Sequence, residues 1–212
     1  MRRVALVLSS VAVLAASSAW SAPSWSADPT PTEFRKQLDA ADRAFGEGSY
    51  LAAVERLRDG MQIANQALRM AVVEVLPVPP AGLVPVAIAE PAPSHNDPIA
   101  ATFATTAIRP IERRYASQDG ASTLRTLVAP NAPSVSFVQQ QIRQAESDDR
   151  FAAIVVGDVA GVLVRSAPTI AVRFAVAGRH LLEIQATGIQ ESALLRMVDE
   201  RTLQRLAAAL GQ

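Results

Sequence analysis

Apolar residues recur at helical spacing over residues 30–76 and predict a helical hairpin. Thr30, Pro31 and Glu33 begin the first helix, because threonine can cap a helix, proline fits the first turn and a glutamate three residues after the threonine completes a capping box. Gly46 interrupts the pattern. The apolar face of this first helix consists of Phe34, Leu38, Ala41 and Phe45.

A second, longer helix is predicted between Ser49, which is placed to cap it, and Pro77, which ends it. Gly60 lies inside this helix and is expected to cost about 1 kcal/mol relative to alanine. Its apolar stripe consists of Tyr50, Val54, Leu57, Met61, Ala64, Leu68, Val72 and Val75.

The turn of this hairpin, residues 44–50, together with Ala53 and Leu57, resembles a tetratricopeptide repeat. In such repeats small residues let two helices pack closely, and stacked copies form a peptide-binding groove. The resemblance implies a protein-interaction module. However, repeats need neighbours to bury their faces, and the sequence contains no second copy. We therefore expect a single hairpin that packs on its own downstream domain.

Residues 77–104 form a proline-rich connector that contains seven prolines between positions 77 and 98. Proline keeps this stretch extended, but the apolar residues among the prolines distinguish it from a solvated linker. Residues 84–89 are predicted to form a short edge strand. The connector is interpreted as packing on its own domain, and the alternative is a contact strip for an apolar partner.

Residues 105–212 alternate apolar and polar positions in short runs, which predicts an antiparallel sheet. Asp119-Gly120 predicts a two-residue turn, which sets Tyr115 opposite Leu124. The same register sets Arg114 opposite Arg125, a repulsion that Glu112 on the diagonal is expected to relieve.

A helix over residues 133–147 and four further strands follow. Ala177-Gly178-Arg179 is predicted to be a three-residue turn, because that register gives the last hairpin one apolar and one charged face. It sets Phe174 opposite Leu182, Val172 opposite Ile184 and Arg173 opposite Glu183. Residues 191–210 are predicted to be helical, with a break near Asp199.

The fold class predicted from this order is α+β. An N-terminal helical hairpin precedes an antiparallel sheet of about six strands in ββαββββα order, with helices on one face. The sheet face opposite these helices is then exposed to solvent, covered by the N-terminal hairpin, or used for binding.

Several short motifs are similar to those of an uncharacterised family of exported, proteobacterial-type proteins. These motifs are Gly-x-Tyr at residues 48–50, Leu76-Pro77, the Arg113-Arg114-Tyr115 run and the Ala177-Gly178-Arg179 turn. The resemblance implies this fold and an exported location, and it brings no activity.

Residues 1–22 have the order of a cleavable secretory signal peptide. Arg2 and Arg3 supply the positive start, an apolar run follows, and small residues lead to Ala22. The apolar run is too short to span a membrane comfortably, and no later segment is long and apolar enough. Cleavage is predicted after Ala22, with Ala19 and Ala27 as alternatives, and the other interpretation is an uncleaved N-terminal anchor. We therefore predict a periplasmic protein without a membrane span in its mature chain.

The charge balance and the absence of cysteine exclude several kinds of functional site. The chain has 20 basic and 20 acidic residues and no cysteine. A disulfide, a cysteine nucleophile and a cysteine-ligated metal are thus excluded, and the charge balance gives no support to nucleic-acid binding.

Side chains that could carry chemistry are few. His95 and Asp97 could provide a metal ion with two ligands, whereas a closed zinc site has about four protein ligands. His180 is interpreted as a turn residue, and Asp199 as a solvated helix cap. The sequence lacks the Gly-x-Ser-x-Gly turn of a serine hydrolase. We expect no enzyme, no metal and no cofactor.

The favoured hypothesis is a periplasmic accessory or binding protein that contacts another envelope protein. Its expected binding residues are Phe45, Tyr50, Val84 and Val86. The alternative is a carrier of a lipid or another apolar small ligand, held between the sheet and its helices, and a hydrolase is a third, less favoured hypothesis.

Overall fold

The computed structural model describes residues 29–87 and 108–211 and confirms the α+β class. Two helices come first, α1 (Pro31–Gly46) and α2 (Tyr50–Val75). The strands are β1 (Leu83–Val86), β2 (Ile111–Ser117), β3 (Thr123–Ala129), β4 (Phe151–Val156), β5 (Val159–Ser166), β6 (Thr169–Val176) and β7 (His180–Thr187). The other helices are α3 (Val135–Gln144), α4 (Glu191–Leu195) and α5 (Glu200–Ala209).

The two N-terminal helices begin differently. The Thr30 hydroxyl accepts a hydrogen bond from the Glu33 N–H at 3.2 Å, as the capping pattern predicted, and Pro31 is the first helical residue. Ser49 occupies the cap position of α2 but forms no side-chain capping bond, so the prediction of a serine cap was wrong in that respect. Its carbonyl accepts from the Ala53 N–H at 3.0 Å, as the first helical turn requires.

All seven strands belong to one antiparallel sheet in the order β1-β2-β3-β7-β6-β5-β4. The seventh strand is β1, which pairs with β2 at the sheet edge, close to where the connector was expected to form an edge strand. β3 pairs with β7, which joins the β2–β3 hairpin to the meander from β4 to β7.

Both predicted hairpin registers are confirmed. Tyr115 pairs with Leu124 across β2 and β3. The predicted two-residue turn at Asp119-Gly120 was wrong: the Gly120 N–H donates to the Ser117 carbonyl and the Ser117 N–H donates to the Ser122 carbonyl, which makes a longer loop with the same register. Phe174 pairs with Leu182 across β6 and β7, so Ala177-Gly178-Arg179 forms the three-residue turn. Ala177 has a φ of 48°, an unusual value for a residue with a side chain, and the apolar pairing on either side of the turn holds it there.

Most helices cover one side of the sheet, which we call the inner face. Val72 of α2, Leu194 of α4 and Leu206 of α5 pack there in one buried cluster with residues from four strands, namely Leu124, Val128, Leu163, Val172, Phe174, Leu182 and Ile184. The break near Asp199 is confirmed, and its carboxylate caps α5 by accepting from the Thr202 N–H at 2.7 Å.

One detail differs from the expectation of helices on one face. α3 packs on the opposite side, the outer face, where Val135 and Val138 meet Val162 and Leu181. The cause is visible in β5 and β7, where consecutive residues are apolar and therefore supply both faces at once. The outer face over β1, β2 and β3 has no helix among the described residues.

Candidate functional site

Small residues form the contact between α1 and α2. Ala41, Ala53 and Gly60 are buried there. A Cβ atom placed on Gly60 would lie 3.6 Å from the Gln37 Cβ and 3.7 Å from the Phe34 ring, so the two helices approach closely at this point. The large apolar side chains therefore lie beside the contact rather than inside it.

These large side chains form an exposed strip, which we call the hairpin surface. Its members are between 39% and 75% exposed, and they are Leu38, Phe45, Tyr50, Leu51, Val54, Leu57 and Met61. On α2 four of them are spaced 4, 3 and 4 residues apart, which places them on one side of the helix.

The apolar stripe of α2 is divided between two environments. Leu68 and Val72 continue the stripe and pack into the core of the inner face. Tyr50 precedes Leu68 by 18 positions, or about 27 Å along the helix. The sheet therefore covers the C-terminal part of the stripe and leaves the N-terminal part, which we had expected to be a packing face, exposed.

Two of the predicted binding residues meet at the tip of the hairpin. The rings of Phe45 and Tyr50 are 5.3 Å apart at 66°, an edge-to-face pair. Their side chains remain 63% and 62% exposed, respectively. The hairpin turn thus presents a preformed aromatic pair to solvent.

The other two predicted residues lie on the sheet. Val84 and Val86 are on the edge strand β1 and are about half exposed, at 47% and 45%. Val86 borders a shallow depression of about 310 Å³ on the outer face, together with Arg114 and Arg125. The predicted residues thus form two pairs on different elements rather than one site.

The outer face beside this depression carries a network of paired charges. Glu112 accepts from both Arg114 and Arg125, which confirms its predicted role between the two arginines. Glu183 pairs with Arg173 at 2.6 Å and with Arg125 at 3.6 Å. Burial would raise the pKa of Glu112, but the hydrogen bonds from Arg125 and Arg114 outweigh it and hold that pKa below its ordinary value.

The two histidines have separate outcomes. His95 lies outside the described residues. His180 directly follows the turn at residues 177–179 as the first residue of β7, and it is only 2% exposed. The Asn131 N–H donates to its Nδ1 at 3.1 Å, and the Arg179 Nε lies 3.0 Å from its Nε2. Burial, and next the positive charge of Arg179, lowers the pKa of His180.

We therefore expect the free energy of unfolding to depend on His180 in mild acid. Its pKa is below 6.5 in the folded state, so the unfolded chain binds the proton first as the pH falls. Stability should be complete above pH 6.5 and decrease from there towards the folded pKa. Urea unfolding at several pH values between 7.5 and 5 measures this.

Two histidine variants test the assignment, since the chain has only two histidines. His180→Gln should flatten the pH dependence in this window, whereas His95→Asn should leave it as in the parent protein. An unchanged slope in His180→Gln would refute the role of the buried imidazole.

Neither a metal site nor a membrane-spanning helix is found among the described residues. Within residues 29–87 and 108–211, no three histidine or acidic side chains come together as a metal site. In the same part of the chain, no helix has the length and apolar character that crossing a bilayer requires.

No protein-family model, curated protein or solved structure matches this chain. The class of the protein is therefore defined by its architecture, an α+β protein with a projecting helical hairpin on a seven-stranded antiparallel sheet.

Sequence reasoning missed five exposed residues of the hairpin surface, namely Leu38, Leu51, Val54, Leu57 and Met61. The available signal was the set of small residues that form the true helix contact. Ala53 and Gly60 lie seven positions apart on α2, and Ala41 lies on α1. Leu51 also lies off the apolar stripe, as expected for a residue that does not face the core.

Proposed function

We propose that the protein is an exported, periplasmic accessory protein that binds another envelope protein through the hairpin surface. The observation that carries this proposal is the set of seven large apolar side chains left exposed beside a helix contact made by small residues, four of them on one side of α2. The signal-peptide pattern of residues 1–22 supports the compartment.

The size of the hairpin surface favours binding. With about 150–250 Å² for an aromatic side chain and somewhat less for the aliphatic ones, its exposed fractions correspond to roughly 600 Å². Monomeric proteins rarely leave a larger apolar patch than about 300–600 Å² in water. Covering this strip would remove a substantial apolar area from solvent.

The shape of the hairpin surface favours an amphipathic helix as the partner segment. Two antiparallel helices present a shallow groove between them, and anchors on a third helix can fill it at intervals of three and four residues. Tyr50, Val54 and Leu57 lie at that same spacing on one side of α2. Phe45 closes the groove at the tip of the hairpin.

The interior gives less support to carriage of an apolar ligand. Buried side chains from the inner face, α2, α4 and α5 fill the space between sheet and helices. An apolar opening of about 270 Å³ remains between β4 and α4, beside Ile154 and Leu195. That volume is at the lower limit of the about 300–1,000 Å³ of most small-molecule pockets. Contact with a protein therefore remains the favoured function.

Photo-crosslinking in the native cells tests the proposal. A photoreactive amino acid at Tyr50 or at Leu57 should capture one dominant envelope protein. The same amino acid at Gln62, an exposed polar position of α2, is the matched control and should not capture it.

Charged substitutions then test the surface itself. The Val54→Asp and Leu57→Asp variants should each reduce the yield of the Tyr50 crosslink by about tenfold or more, because both place a charge in an apolar contact. Gln62→Asp should leave the yield unchanged. Equal capture at Tyr50 and Gln62 would refute the proposal.

A further inference from the structure

The two edges of the sheet differ in how well they are protected. β1 forms one edge and contains Pro85, which has no N–H to donate to another strand. β4 forms the other edge, and its six residues, Phe-Ala-Ala-Ile-Val-Val, include no charge and no proline. Natural sheets usually protect a long apolar edge of this kind, because it offers unpaired backbone groups to another chain.

The backbone groups that β4 leaves open can be identified. The Arg165 N–H donates to the Arg150 carbonyl at 2.7 Å, so residue 150 is hydrogen-bonded towards β5. Hydrogen bonding alternates along an antiparallel strand. Ala153 and Val155 therefore direct their N–H and C=O groups away from β5, towards the open edge. Phe151 offers only its C=O there, because its N–H donates to the Asp148 carbonyl at 2.9 Å.

The side chains of β4 are complementary to a second, antiparallel copy of the same strand. When the pair is centred on Ile154, Ala153 lies opposite Val155 of the second copy, and Ala152 lies opposite its Val156. Each small residue then meets a large one. Val155, which is 69% exposed in the single chain, would be covered.

The residues that flank β4 carry opposite charges. Gly157 and Asp158 form the two-residue turn between β4 and β5, and in the pair this turn of the second copy would lie beside Arg150 of the first. Within the described part of the chain, Arg150 pairs with Asp148 and its side chain remains 72% exposed, whereas Asp158 has no ion pair.

The neighbouring register is less favourable. Centring the pair on Ala153 would slide each strand by two residues, about 7 Å, along the other and move Arg150 away from Asp158 of the second copy. Small and large side chains would no longer alternate across the join, since Ala153 would face itself.

We infer that two copies of this chain pair through β4, antiparallel and centred on Ile154, to form one continuous sheet of twice seven strands. The contact is related by a twofold axis, so each copy offers the same surface. The apolar opening beside Ile154 and Val198 borders the join, and the two Ile154 side chains meet there. This inference is independent of the hairpin surface, which belongs to other elements.

Sedimentation of the purified protein, expressed from the full sequence, tests the pairing. The parent protein should sediment at micromolar concentration with twice the mass of one chain. Val155→Lys should sediment as a single chain, because it places charges on both sides of the join. Val78→Lys is the matched control, since Val78 is 81% exposed and lies outside the sheet, and it should keep the doubled mass. Circular dichroism establishes that both variants fold.

Cysteine variants test the register, since the chain has no cysteine of its own. In the inferred pair the two Ile154 Cα atoms are about 4.5 Å apart, which is within the range of a disulfide. Ile154→Cys should therefore form a covalent dimer under oxidation. Ala153→Cys and Val155→Cys should not, because each is offset from its own symmetry mate.

Three results would overturn the inference. They are a parent protein with the mass of one chain, a doubled mass that persists in Val155→Lys, and a covalent dimer that forms at Ala153 but not at Ile154.

Discussion

The Phe174→Ala variant is expected to lose about 3–5 kcal/mol of unfolding free energy. Phe174 is the largest fully buried side chain among the described residues and is 1% exposed at the centre of the inner face. Its removal would leave a cavity between β6 and the covering helices, which the surrounding residues could fill only in part. The midpoint and slope of urea unfolding measure the loss.

Phe137→Ala is the matched control for this substitution. Phe137 belongs to α3 and is 64% exposed, so losing its ring removes little buried surface. Its unfolding free energy should remain within about 0.5 kcal/mol of the parent value. Similar losses in the two variants would contradict the location of the core on the inner face.

The Gly161→Ala variant is expected to lose about 1–3 kcal/mol through overpacking. A Cβ atom at Gly161 would lie 2.5 Å from Cδ1 of Phe174 and 2.7 Å from the carbonyl oxygen of Arg173. The ring could rotate, but the carbonyl belongs to the paired strand β6 and cannot move without disturbing the sheet. Urea unfolding measures the difference.

A control and a double variant separate the two contacts. Gly46→Ala, at the end of α1, has no atom within 4 Å of the added Cβ and should be neutral or slightly stabilising. In a Phe174→Ala background the ring clash is absent, so Gly161→Ala should cost less there. Strict additivity of the two substitutions would show that the ring does not occupy the space above Gly161.

Local features of this fold could be predicted because a few neighbouring residues determine the turns and the registers of the strands that they connect. Asp119-Gly120 lies at the centre of the loop between β2 and β3, so the register of these strands follows by counting outwards from it, although the loop is longer than two residues. The three-residue turn at Ala177 follows from a choice between two registers, only one of which separates apolar from charged positions across β6 and β7.

Long-range features could not be predicted in this way. The pairing of β3 with β7 joins Thr123 to Thr187, and no turn between them sets its register. The position of α3 on the outer face could not be predicted either, because periodicity identifies the apolar side of a helix but not the sheet face on which that side packs. Consecutive apolar residues such as Val162 and Leu163 indicated that both faces of β5 need cover.

The candidate site was predicted in part for the same reason. The sequence identified Phe45 and Tyr50 and the stripe that continues from them along α2. A stripe shows that a helix has an apolar side, but not where its neighbour ends. Only the packed structure reveals that the sheet reaches Leu68 and Val72 and stops before Tyr50.

The central position of β7 has a consequence for synthesis. β7 lies between β3 and β6, so the two halves of the sheet are joined only when the last strand is in place. During translation the ribosome releases β7 after every other strand, and contacts this distant in sequence form slowly. The nascent polypeptide therefore stays incompletely folded until its C-terminal part has been made.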